Sequence, residues 1–112
     1  MSLRLEAGHQ ASYVRKQAMT NARTLSASLQ ALEASYLTGD IPLNAVVHRA
    51  EALLEEGKAM LTPDAFLRAM NCVYLIEDVN ALVLDEGRPL KEGERASIAT
   101  ELGRLVASVA ES

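Results

Sequence analysis

A chain of 112 residues fits one domain, read here as a single helical unit over 1–112, and hardly permits two. Hydrophobic residues make up 49% and charged residues 23%, as in a folded globular protein. Aromatics are only 4%, with no Trp, so the core must be built from Leu, Val, Ile, Met and Ala, which suits helix-on-helix packing better than a β-sandwich. The formal charge of −4 speaks against sequence-independent binding to nucleic acid, which needs Lys and Arg facing phosphates, and the single cysteine, Cys72, excludes an internal disulfide.

Three punctuation marks divide the sequence: "TGDIP" (38–42), "LTPD" (61–64) and "DEGRP" (85–89). The first and third pair a Gly, which tolerates the left-handed position after a helix, with a Pro that cannot continue one. The middle one is a start: Thr62 can cap, Pro63 fits the first helical position, and Asp64 faces the positive end of the helix dipole.

The first segment, about 9–37, carries the stripe Ala11, Val14, Ala18, Ala22, Leu25, Leu29, Leu32 and Tyr36, stepping by threes and fours. That stripe is narrow, and the other sides are rich in small residues, among them Ala27, Ala31 and Ala34, which let a second helix approach. The segment is also basic: no acid lies between Ala7 and Leu32, whereas Arg15, Lys16 and Arg23 do, a pattern suited to an acidic surface. The second segment, about 43–60, places Leu43, Val46, Val47, Ala50, Leu53 and Leu54 on one face. Gly57 falls on that face too, where it either ends the helix or admits a neighbouring backbone.

The third segment, 63–86, contains the most apolar stretch, "VYLIEDVNALVL" (73–84), with Glu77, Asp78 and Asn80 at its centre. At about 100° per residue, one sector gathers Phe66, Ala69, Cys72, Val73, Ile76, Val79, Val83 and Leu84 and must face the core. Asp78 falls opposite and Glu77 on the border. Asn80 lands inside the apolar sector as a buried amide. The far side carries Leu67, Tyr74, Leu75 and Leu82 beside Asp78, and a helix apolar nearly all round is usually covered on both sides. In so small a chain, a second chain is the expected cover. The fourth segment, about 90–110, sets Ile98, Leu102, Leu105, Val106 and Val109 on one side. Four amphipathic helices with short connections predict an all-α, up-down antiparallel four-helix bundle with a long N-terminal helix.

Chemistry is sparse. A di-iron bundle needs Glu-x-x-His pairs, and the nearest match, His48 and Glu51, is in reversed order. Histidine-phosphotransfer domains resemble one another in a His-x-Leu-Lys-Gly pattern; here "HRAEALLEEG" puts Glu51 where the basic residue belongs, so His48 could serve only a divergent version. Pyrophosphatases of the MazG type pair acids at i, i+3, but Glu51 meets Leu54 and Glu77 meets Asn80. The stretch from Leu29 to Gly57 resembles a tetratricopeptide unit at Leu29, Leu32, Tyr36, Ala45 and Ala52, but no second copy follows, and one repeat cannot bury itself. No catalytic, metal or cofactor site is therefore expected.

The sequence predicts a non-enzymatic interaction module: an adaptor, small chaperone or assembly subunit, paired with itself or another protein. No run approaches the roughly 20 apolar residues of a membrane span, and "MSLRLEAGHQ" lacks a signal-peptide core, so the expected compartment is the cytoplasm. The expected interface comprises Leu67, Tyr74, Leu75, Asp78 and Leu82 with Ala27, Ala31 and Ala34. The alternative is a small-molecule or enzymatic site in the bundle, with Asn80, Glu77 and Tyr36 as ligand contacts.

Overall fold

The computed structural model of the chain describes residues 23–111. They form helix α1 over 23–37, α2 over Leu43–Gly57, α3 over Pro63–Glu86 and α4 over Glu92–Ala110, with a short 3-10 turn at Lys58–Met60. No strand occurs among the described residues. Successive helices run antiparallel and pack as an up-down four-helix bundle. The stretch of the first predicted helix before residue 23, with Ala11, Val14, Ala18 and Ala22, lies outside the described residues.

Local chemistry sets the helix ends. Thr62 caps α3, its hydroxyl accepting from the Ala65 N–H at 3.2 Å, with Pro63 in the first turn. Gly87 ends α3 at φ +60°, a left-handed position that glycine reaches without strain; the Gly87 and Arg88 N–H groups donate back to the Leu84 and Val83 carbonyls.

Two predicted boundaries move. The second helix stops as an α-helix at Gly57, not at 60, and tightens into the 3-10 turn. Gly57 is buried against α1 so closely that an added Cβ would lie 2.5 Å from a Leu25 methyl, so the glycine both ends the helix and admits its neighbour. The fourth helix begins at Glu92, not near Leu90. Lys91 is extended, and its N–H donates to Glu94 at 2.8 Å, which fixes the first turn two residues later.

One core cluster joins all four helices: Leu25, Leu29 and Leu32 from α1, Val46, Ala50 and Leu54 from α2, Val73 and Ile76 from α3, and Leu102 and Leu105 from α4. The predicted inward sector of α3 needs correction at its edges. Leu84 is 65% exposed, and Phe66, Val79 and Val83 are only partly covered, whereas Ala65 and Met70 are buried. For Val83 and Leu84 the reason is height, not direction. Asn80 of α3 lies level with Asn44 at the start of α2, so the last turns of α3 run past the end of its neighbour. Phe66 sits at the opposite end, with the Lys58 ammonium 5.0 Å above its ring.

Candidate functional site

The helical period of α3 sorts its side chains into two opposed sets. Ala65, Ala69, Val73 and Ile76 point inward and are fully covered. On the other side Leu67 is 59% exposed, Tyr74 52%, Leu75 51% and Leu82 46%. Asn71 and Asp78 are exposed in the same row. From Leu67 to Leu82 the row is about 22 Å long. Beside it, between α3 and α4, runs a groove of about 400 Å³ lined by Arg68, Cys72, Leu75, Glu101, Arg104 and Ala107, among others. A second hollow of about 240 Å³ continues it past Ile76 and Val79 to Ser97 and Ile98. Leu75 and Glu101 line both.

The other predicted contact residues, Ala27, Ala31 and Ala34, are exposed on α1. A groove of about 250 Å³ between α1 and α2 is lined by Ser28, Ala31, Leu32, Ser35, Arg49 and Leu53. This groove and the α3 row lie on different helix pairs, so the predicted interface residues form two surfaces.

The residues suggested as ligand contacts fall in three settings. Asn80 points inward, 9% exposed, and its amide donates to the Asn44 side-chain oxygen at a long 3.5 Å. Glu77 is exposed and meets Glu51 of α2. The Glu51 carboxyl is held above its ordinary value, first by burial, then by a hydrogen bond and like charge from Glu77, with His48 acting in the opposite sense. Tyr36, on α1, is half-buried; burial raises its phenol, and Arg95 of α4 opposes that rise. None of these three residues lines the α3–α4 or α1–α2 grooves described above.

Two further features depend on contacts between α3 and α4. Burial pushes the Cys72 thiol up to about 11, aided by the neighbouring Glu101 carboxylate, so it stays protonated and is a poor nucleophile at neutral pH. Between α3 and α4, Arg88 grips Glu94 through two bonds of 2.8 and 2.9 Å and reaches Glu86 at 2.6 Å. The Arg88 guanidinium, and then the Lys91 N–H, hold Glu94 down to about 2. The sequence signal for this clamp was an acid three residues into a helix that follows a Pro turn. His48 is exposed on α2. Among the described residues no group of three His, Cys, Asp or Glu side chains is placed to hold a metal ion, and no helix is long and apolar enough to cross a membrane.

Along the outer side of α3 the geometry brings together apolar surface. No family model, curated protein or solved structure matches the chain.

Proposed function

We propose that this protein works by contact, as a non-enzymatic helical interaction module: an adaptor, small chaperone or assembly subunit in the cytoplasm that pairs through the outer face of α3. One observation carries this reading. Leu67, Tyr74, Leu75 and Leu82 stand half in water on one face of one helix, outside the core cluster that the described residues form. Scattered exposed leucines are ordinary, but four large apolar groups in one row are the pattern of a surface that spends its working life covered. The exposed small side of α1, with Ala27, Ala31 and Ala34, is a second place where a helix can approach.

The test is Leu82→Asp. The variant is expected to keep the helical circular dichroism and cooperative unfolding of the parent and to lose its association in light scattering. Unchanged mass and unchanged binding in a folded variant would refute the reading.

A further inference from the structure

We propose that the outer face of α3 receives a basic amphipathic helix, one with Lys or Arg set among its apolar side chains. This rests on the contact reading and gives the partner's chemistry. The argument is the place of the acids on that face. Asp78 is not at the rim. Tyr74 and Leu75 lie one turn before it and Ala81 and Leu82 one turn after, all of them exposed. Asp64 and Asp85 extend the same side beyond Leu67 and Leu82.

Asp64 has a local use, since it faces the positive end of the α3 dipole. Asp78 and Asp85 have none. Among the described residues neither carboxylate joins an ion pair, and Asp85 stands in the last turn, where the dipole disfavours an acid. Arg68, at the border of the face, lines the α3–α4 groove with Arg104, which Glu101 holds at 2.9 Å. An apolar partner laid over Tyr74, Leu75 and Leu82 would strip water from Asp78 and put no cation in its place, which costs much of the apolar gain. A cover that fits must therefore bring its own cation to that point. A helix can do so along a row of about 22 Å, with its apolar residues reaching into the α3–α4 grooves that Leu75 lines. A second copy brings the same acids to the same face, so self-pairing through it is the weaker contact.

Two synthetic peptides test this against the full chain. Each has about 18 residues, mostly Leu and Ala on a helical pattern, and is long enough to follow the row. One carries Lys residues among its leucines, and its twin carries Glu at the same positions. Fluorescence anisotropy should give the lysine peptide a Kd at least about tenfold below that of its twin. Asp78→Asn should raise the lysine peptide's Kd about fivefold, and Asp78→Lys should reverse the preference, both with unchanged helical circular dichroism. Glu56→Lys makes the same change in net charge beside the hollow between α1 and α2, and should move either Kd by less than about twofold.

Equal binding of the two peptides, no binding of either, or equal losses in Asp78→Lys and Glu56→Lys would overturn the inference. If Leu82→Asp still abolishes association while the peptides show no charge preference, the contact reading stands and the basic partner falls. If Leu82→Asp binds the lysine peptide as tightly as the parent does, both fall.

Discussion

Val73 and Ile76 vanish into the bundle, while Tyr74 and Leu75, lying between them in sequence, stand half in water. The two faces of α3 use the same kinds of side chain, and only their surroundings differ. The inner face is held by packing against α2 and α4 within the core and works for stability. The outer face is left over once the core is full, and its apolar surface is available for association. Each burial of a large apolar side chain is worth about 1.5–3 kcal/mol, so a mutation should reveal which account a residue belongs to.

The sharpest break in that comparison comes from neighbouring residues. Ile76→Ala should lower unfolding free energy by about 3 kcal/mol, because a large side chain leaves a cavity in packed surroundings. Leu75→Ala should change the stability of the isolated monomer by less than about 0.5 kcal/mol. Urea unfolding at low concentration checks both, and equal losses would erase the distinction between the faces.

Asn80 is the one polar group on the inner face. Asn80→Leu should raise stability by about 1 kcal/mol, since the amide makes only a long bond there and Asn44 is exposed enough for water to replace it. A clear loss would mean that the amide does more for the fold than that bond accounts for.

Smaller effects belong to the charged edges, where the two acids respond to pH in opposite directions. Glu94 is held low, so its contribution is complete above the ordinary carboxylate value and is lost as pH falls through about 2. Thermal unfolding of Glu94→Gln should therefore fall less steeply than the parent between about pH 5 and pH 2. Glu51 is held high, so its contribution is complete below the ordinary value and is lost as pH rises through the raised one. Glu51→Gln should raise the midpoint slightly at pH 7 and leave it unchanged at pH 3. A parent-like pH profile in both variants would contradict the assigned pairs.

Much of the fold was legible because it rests on periodicity. The inward positions of α1, α2 and α4, and the inward turn of Asn80, follow from spacing within one helix. Leu84 was misplaced because a helical wheel gives direction but not height, and nothing in the residues of α3 states that α2 begins only at Leu43. The meeting of Glu51 and Glu77 was missed for a related reason: it depends on the register between two helices, which no spacing within either one encodes. Gly57 allowed two readings: the helix does end there, but what comes close is the Leu25 side chain and not a neighbouring backbone. The outer row of α3 was legible as surplus, since an apolar residue on the wrong side of a wheel needs no partner coordinates to be noticed.

The central claim, that this surplus is a contact surface, is most directly tested by the mass of the purified chain in light scattering across a dilution series. The account predicts a mass that rises with concentration toward twice 12.1 kDa, and a Leu82→Asp chain that remains at the single value while fully helical. A parent that holds the single-chain mass at every concentration, and whose partner binding Leu82→Asp leaves unchanged, would contradict it.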